Sequence, residues 1–353
     1  MSPEPAANRY DHLSAPPVGN ERIFHYDEET DNPITQLTSF PTPHMHQYIY
    51  GQCIRDDNKM LTLMGQRAAA YDAPSDIYRV ESDGTNIIRL VSDAGWSVLS
   101  HDGKWVYLGR GSQVRRVSTD GGAEEVLAEI PGVSEITVNV ISIDDSLLFG
   151  TGSAGDDVIV SVGTDGSDPK IVCARQGIMH LQADPSGQPR LLFSGMAQGQ
   201  HGIWTVSFDG KPLKGLNFTD STNHYVWLGC TGTVVTTGQP SDPALEFAHP
   251  GEEPKRMRLP HSVWHPTSDD SGLWIVADTN WPAEGLFLIH APSGRMAKIC
   301  NTGASCGHPQ WTHAHPRLNH DASWVLFDSD RTGICQVYLA HIPEEMKETL
   351  KEG

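Results

Sequence analysis

A histidine-rich segment near the end of the chain, QWTHAH from Gln310 to His315, carries the residues that point most clearly to chemistry. In an extended segment, His313 and His315 point to the same side, about 7 Å apart by strand geometry. Two such imidazoles can face one ion, and Gln310 can add an amide oxygen. We therefore expect this segment to form the larger part of a metal site.

A fourth donor, His265, precedes another strand about one structural repeat earlier in the chain. It could complete a face of three nitrogen ligands. Imidazole with oxygen donors and no thiolate suits Mn²⁺, Zn²⁺, Fe²⁺ or Ni²⁺. The chain has no HExxH motif and no cysteine-rich zinc pattern. The donor set predicts an open divalent-cation site with positions left for a substrate carboxylate.

These residues are embedded in a repeat of a short turn followed by an apolar strand. The turn recurs at intervals of 39 to 51 residues, at Asp57, Asp102, Asp145, Ser186, Thr231, Asp270 and Asp321. Most repeats also contain a second hairpin, several of them turning on Asp-Gly, which is the strongest short hairpin signal. This period is typical of four-stranded propeller blades. We predict an all-β chain with a single seven-bladed β-propeller.

The last repeat stops one strand short, and RIFHYDEETDNPITQLT near the N-terminus could supply that strand and close the ring. We expect residues 21–353 to form the propeller, with a short helical tail in EEMKETLKEG. Residues 1–20, rich in Pro and Ala, are expected to form a flexible N-terminal arm.

Four histidines occupy one equivalent position in the repeat, five to seven residues before the turn. They are His180, His224, His265 and His315, and blade two has Trp96 at that place. In a propeller these positions ring one mouth of the central channel. Residues more than 130 apart in the sequence are therefore expected to converge.

Composition narrows the possible partners and the cellular compartment. A formal charge of −19 argues against nucleic acid or an anionic membrane as partner. It leaves an anionic substrate possible, since a metal can invert the local field. Six scattered cysteines, the absence of an apolar leader and the absence of a long apolar window favour free thiols and a cytoplasmic location. A Cys300–Cys306 pair and the choice between monomer and homodimer stay open.

The residues also resemble a known family, the oligogalacturonate lyases of polysaccharide lyase family 22. The resemblance rests chiefly on QWTHAHPRLNHDASWVLFDSDRTG, which matches the family's Gln-x-x-His-x-His-Pro segment. Weaker matches follow in the right order: HYDEETDNPITQLTS, HMHQYIYGQCI, IMHLQADPSGQPRLLFS, HGIWTVSFDGKPLKGL and NHYVWLG. It implies a seven-bladed propeller that binds Mn²⁺ and cleaves pectic oligomers by β-elimination, giving a 4,5-unsaturated uronate.

By that resemblance the metal ligands are His265, Gln310, His313 and His315, and His224 is the general base. His265 is preferred to His261 because His265-Pro266 keeps the family's distance to the strand IVAD.

One departure from the family concerns substrate binding. Gly202 stands where the family has an Arg before Ile-Trp. A neutral imidazole does not reproduce the bidentate grip of a guanidinium on a carboxylate. We expect His46, Arg67, His180 or His201 to take a related role, and the substrate to be an anionic uronate oligosaccharide that need not be galacturonate.

Two other functions stay open at this point. A non-catalytic, TolB-like propeller would serve as a binding module, but it gives no reason to gather histidines at one mouth. A metal-dependent propeller hydrolase or lactonase would use the same ligands for another reaction. A serine peptidase is disfavoured because the chain has no GxSxG motif.

Overall fold

The structure is a computed structural model that describes residues 21–70, 73–197, 200–211, 214–218, 221–280 and 282–352. These residues fold into seven antiparallel sheets. Six sheets have four strands each, in chain order, and the seventh has five. This is the predicted seven-bladed β-propeller. The predicted arm, residues 1–20, lies outside the described residues.

The blades follow one another along the chain. Blade one contains β3 (His44–His46), β4 (Met60–Gln66), β5 (Ser75–Glu81) and β6 (Ile88–Val91). Blade two contains β7 (Val98–Leu99), β8 (Trp105–Arg110), β9 (Gln113–Ser118) and β10 (Glu125–Glu129). Blade three contains β11 (Ser134–Ile141), β12 (Leu147–Ser153), β13 (Asp157–Gly163) and β14 (Lys170–Ala174). Blade four contains β15 (Gln176–Ala183), β16 (Arg190–Ala197), β17 (Gln200–Ser207) and β18 (Gly215–Leu216).

The remaining blades carry most of the histidines of interest. Blade five contains β19 (Ser221–Trp227), β20 (Val234–Gly238), β21 (Ala244–Ala248) and β22 (Lys255–Arg258). Blade six contains β23 (Pro266–Ser268), β24 (Trp274–Asp278), β25 (Leu286–His290) and β26 (Met296–Cys300). Blade seven contains β27 (Arg317–Leu318), β28 (Trp324–Ser329), β29 (Gln336–His341), β2 (Pro33–Gln36) and β1 (Ile23–Tyr26).

The N-terminal hairpin closes the ring as predicted, with two strands where the sequence suggested one. β2 pairs antiparallel with β29, and β1 pairs with β2 at the outer edge. The turn between β1 and β2 also contacts blade six, because the Asn32 amide donates to the carbonyl of Ile299 over 2.6 Å. The hairpin therefore links the two ends of the chain.

Apolar side chains fill the spaces between neighbouring blades. Between blades six and seven, Val276 and Leu288 pack with Phe327 and Tyr338, all fully buried. Between blades seven and one, Leu326 and Val337 pack with Leu61 and Leu63. The strands β20, β24 and β28 are buried along their whole length, because both faces of these sheets are covered by neighbouring blades.

Two further predictions can be compared with the structure. The C-terminal helix, α1 (Glu344–Glu352), forms and buries Leu350 against blades six and seven. All six cysteines are free, including Cys300 and Cys306. None of the helices among the described residues is long and apolar enough to cross a membrane.

We expect Ile34→Ala to destabilise the protein by about 2–5 kcal/mol, because it removes a large buried side chain from the closing strand. Ile34 is 1% exposed, whereas Ile23 on the same hairpin is 49% exposed. Ile23→Ala is therefore the matched control and should change stability by less than about 0.5 kcal/mol. Urea unfolding measures both. Equal effects would mean that the hairpin contributes little to closure.

Candidate metal centre

Three buried imidazoles meet where the inner strands of blades six and seven begin. His265 precedes β23, and His313 and His315 precede β27. Their potential ligand atoms all lie within 4.8 Å of one another. The ring centroid of His265 lies 4.4 Å from that of His315 and 6.0 Å from that of His313. We call these residues the histidine cluster.

His265 is held rigidly by a carboxylate at the end of the neighbouring strand. Its Nδ1 lies 2.8 Å from Oδ2 of Asp278, and its backbone N–H donates to Oδ1 of the same residue. Because the carboxylate accepts the Nδ1 proton, the lone pair of the ring is on Nε2. That Nε2 atom is buried and has no hydrogen-bond partner. An imidazole oriented by a carboxylate with its second nitrogen open is the usual arrangement of a metal-binding histidine.

Asp278 is itself fully enclosed, and burial raises its pKa, an effect that the backbone N–H of His265 opposes. A buried carboxylate is costly in its ionised form unless a positive charge lies nearby. A cation bound at the histidine cluster would supply that charge. The chemistry of the pair therefore fits a divalent ion.

His315 reaches the cluster through an unusual backbone conformation. Its φ is 43°, in the left-handed region that is uncommon for residues other than glycine. Its Nε2 is buried without a hydrogen-bond partner, like that of His265. Non-glycine residues in this region are often held there for function. The strained backbone turns the ring of His315 toward His265.

His313 is oriented by groups that the sequence did not single out. Its Nε2 lies 3.2 Å from the carbonyl of Gly307, and the amide nitrogen of Asn280 lies 3.4 Å from its Nδ1. The thiol of Cys306 in turn donates to the amide oxygen of Asn280. The backbone of the preceding loop thus holds the third imidazole.

The other two registered histidines flank the cluster. The ring of His224 lies 4.5 Å from that of His265 and 5.1 Å from that of Trp264. His180, at φ 54° in the irregular strand β15, lies 6.4 Å from His224. The structure therefore brings together all four histidines that the repeat placed at one mouth of the channel.

Burial favours the neutral form of His224, His265 and His315. It lowers the pKa of His224 to about 3, with the nearby His265 and His180 adding to the effect. It also lowers the pKa of His265 and of His315 well below the usual range. Neutral imidazoles keep the lone pairs that bind metals or accept protons.

The ring of Tyr48 packs among the histidines, and no pattern in the sequence predicted this position. Its ring stacks on His180 at 5.5 Å and lies 4.8 Å from His315 and 6.1 Å from His265. Asp278 was also missed, although strand register could have found it. Pro266 pairs with Ala277, which brings Asp278 beside His265. Tyr48 lies in a connection that has no such register.

The remaining predicted site residues lie in different surroundings. Gln310 is exposed at the start of a 3₁₀ turn, and its carbonyl accepts the backbone N–H of His313. Arg67 follows β4 and is ion-paired with Asp76 at 2.7 Å and with Asp93 at 3.0 Å. His201 is exposed on β17. The roles expected of these residues stay predictions.

His46 is fully enclosed near the backbone of His315, and burial lowers its pKa to about 4. Its backbone N–H donates to Asp328 over 3.1 Å. Its predicted role in substrate binding is untested, and its burial favours a supporting position beneath His315.

We expect Asp278→Asn to weaken Mn²⁺ binding by about 10- to 100-fold, since it removes the carboxylate that orients His265. Isothermal titration calorimetry of the full-length chain measures this. Asp270→Asn is the control, because Asp270 lies at the other end of blade six, where it contacts His320 of blade seven. Unchanged affinity in Asp278→Asn would contradict the assigned geometry.

The sequence comparison and the structure comparison both match oligogalacturonate lyases. No family model matches the chain. The oligogalacturonide lyase of Pectobacterium atrosepticum is 20% identical over 91% of this chain and 96% of its own length. The solved structure of an oligogalacturonate lyase in complex with manganese has a TM-score of 0.77 at 19% identity, covering 92% of this chain and 97% of that one. An oligogalacturonate lyase from Vibrio parahaemolyticus has a TM-score of 0.76 at 18% identity, covering 92% and 98%. The chain therefore resembles the oligogalacturonate lyases along nearly its whole length.

Proposed function

We propose that this protein is a metal-dependent lyase that cleaves uronate-containing oligosaccharides by β-elimination. The observation that carries the proposal is the histidine cluster. In it, Nε2 of His265 and Nε2 of His315 are buried without partners, and the neutral imidazole of His224 lies beside them. The names of the relatives support the reaction class and the carbohydrate substrate.

His265, His313 and His315 would hold the cation, and His313 would give up its contact with Gly307 or Asn280 to do so. The manganese complex of the similar structure favours Mn²⁺ over other divalent ions. We keep Gln310 as the fourth proposed ligand, which requires its exposed amide to turn toward the cluster. When bound, the ion would stabilise the negative charge that builds on a uronate carboxylate, an effect worth several kcal/mol.

His224 is the proposed general base. Its neutral ring can accept the proton from C5 of the uronate, and its contact with Trp264 and His265 limits how it can rotate. As the C5–H bond breaks, its electrons form the C4–C5 double bond and the C4–O bond breaks. The leaving oxygen takes the electron pair of that bond and receives a proton from the imidazolium of His224 or from water. The products are a 4,5-unsaturated uronate and a shortened oligosaccharide. No water attacks, so no pair of hydrolytic carboxylates is required.

The proposed substrate contacts differ in how near they lie to the histidine cluster. His180 lies within the pocket, between Tyr48 and His224, and is the best-placed of the proposed substrate contacts. Arg67 would have to leave Asp76 or Asp93 before it could grip a carboxylate. We propose an anionic uronate oligosaccharide as substrate, in a cytoplasmic monomer or homodimer that takes part in pectin breakdown.

Two alternatives share the same fold. A metal-dependent hydrolase or lactonase would use the cluster but would form no unsaturated product. A non-catalytic binding module would show neither turnover nor a need for the cluster.

We expect Mn²⁺-loaded protein to release products with the ultraviolet absorbance of an unsaturated uronate from at least one uronate oligosaccharide, and chelation to abolish it. His224→Asn should lower kcat by about 10²- to 10⁴-fold, because it removes the proton acceptor, while Mn²⁺ affinity stays within a few-fold. His249→Asn, in blade five away from the cluster, is the control. Hydrolysis without unsaturated product would favour the hydrolase, and full turnover by His224→Asn would place the base elsewhere.

A further prediction concerns Gly202, which lies on β17 opposite Gly195. A Cβ added there would lie 3.3 Å from Nε1 of Trp204, a side chain that can shift, and the position is not in the left-handed region. We expect Gly202→Arg to raise kcat/KM on oligogalacturonate by about tenfold, equivalent to one charged hydrogen bond. Gly202→Met is the control for bulk. No difference between the two variants would show that another residue has replaced the lost arginine.

A further inference from the structure

A second cavity lies on the propeller axis, on the side of Tyr50 away from the histidine cluster. It has a volume of about 120 Å³, opens to solvent, and is lined by the inner strands of several blades. Tyr50, whose ring is 5.5 Å from that of His180, stands at one end, and the turn residues Asp270 and His101 stand at the other. We call this cavity the axial chamber.

Arg317 on β27 brings a permanent positive charge into the axial chamber. One terminal nitrogen, Nη1, donates to the carbonyl of Ile49 over 2.9 Å, and the buried Nε has no hydrogen-bond partner. Within the described part of the chain, no carboxylate forms an ion pair with this guanidinium. Arg317 is half-buried, but its Nε–H is fully buried, and a buried donor without an acceptor is costly, so an anion that accepts from it would be stabilising.

The carboxylates that line the same chamber are already engaged with other cations. Asp184 is bound by Arg190 from the neighbouring hairpin, over 2.5 Å. Asp270 accepts from Nδ1 of His320 over 3.0 Å. Both contacts hold these acids away from Arg317. Neither acid therefore forms an ion pair with Arg317, whose charge has no carboxylate partner among the described residues although the chain as a whole carries −19.

A second residue that lines the chamber, Trp227, has a buried donor without a partner. This donor is the indole N–H, while the ring face packs on the guanidinium of Arg190. Buried donors without acceptors favour an anion, which accepts from several donors at once.

We propose that the axial chamber binds a small monovalent anion, a halide or a one-carbon carboxylate, through Arg317 and Trp227. This site is distinct from the metal centre and does not depend on the proposed lyase activity. Bound there, the anion would compensate the charge of Arg317 and satisfy the N–H groups of both residues.

The site has a structural connection to the histidine cluster. Arg317 follows His315 by two residues, and its Nη1 holds the carbonyl of Ile49, next to Tyr48. Tyr48 packs against His180 and His315. An anion that holds Arg317 in place therefore steadies Tyr48 in the neighbouring pocket.

Crystals of the full-length protein soaked in sodium bromide test the proposal directly. We expect an anomalous bromide peak in the chamber within hydrogen-bond distance of the Arg317 guanidinium. In solution, bromide and formate should raise the melting temperature saturably above that in potassium glutamate of equal ionic strength. A ligand present at 100 times its Kd stabilises by about 2.7 kcal/mol, which shifts the melting temperature by several degrees.

Three variants separate a specific site from a general salt effect. Arg317→Gln should abolish the saturable shift, Arg317→Lys should retain part of it, and Trp227→Phe should weaken the apparent affinity severalfold while keeping the ring. Arg115→Gln, on the outer side of blade two, should respond like the wild type. If the chamber holds only water in the bromide-soaked crystal, or if Arg317→Gln and Trp227→Phe keep the wild-type shift, the proposal is wrong.

Discussion

The site depends on one geometric constraint, which is that an equivalent position at or near the inner strand of each of blades four to seven faces the propeller axis. Because these four blades repeat this geometry, histidines far apart in the sequence meet without any long connecting loop. His265 and His315 come from different blades, yet their ring centroids are 4.4 Å apart. The close-packed apolar layers between blades keep these starting points in place. The metal centre is therefore positioned by the whole ring rather than by a local motif.

Hydrogen bonds from neighbouring residues orient the histidines that the propeller brings together. Asp278 ends β24 directly beside His265 and holds both its backbone and its ring. Asn280 and the carbonyl of Gly307 hold His313, and an unfavourable backbone angle turns His315. Each of the three imidazoles is thus oriented by a different kind of interaction or backbone conformation. Such pre-orientation lowers the entropy lost when a ligand is bound.

Much of the fold was predictable because its signals are local and repeated. Turn residues followed by apolar strands mark each blade, and the missing last strand predicted closure by the N-terminus. The histidine set was predictable for the same reason, since His180, His224, His265 and His315 share one register position. Tyr48 and Arg317 were not predictable, because the burial and missing partners that distinguish them arise only in three dimensions. Gln310 shows the opposite case, a residue whose motif is clear while its side chain is exposed.

The closure of blade seven has a consequence for how the protein folds. β2 is made among the first forty residues, whereas its partner β29 is made last, about three hundred residues later. Until synthesis ends, the early hairpin has no sheet to join and blade one has an open neighbour. Contacts of such high sequence separation form slowly and leave strand edges exposed meanwhile. The ring therefore closes only after β29 has been made, and a chain cut short before β29 lacks the partner strand for β2.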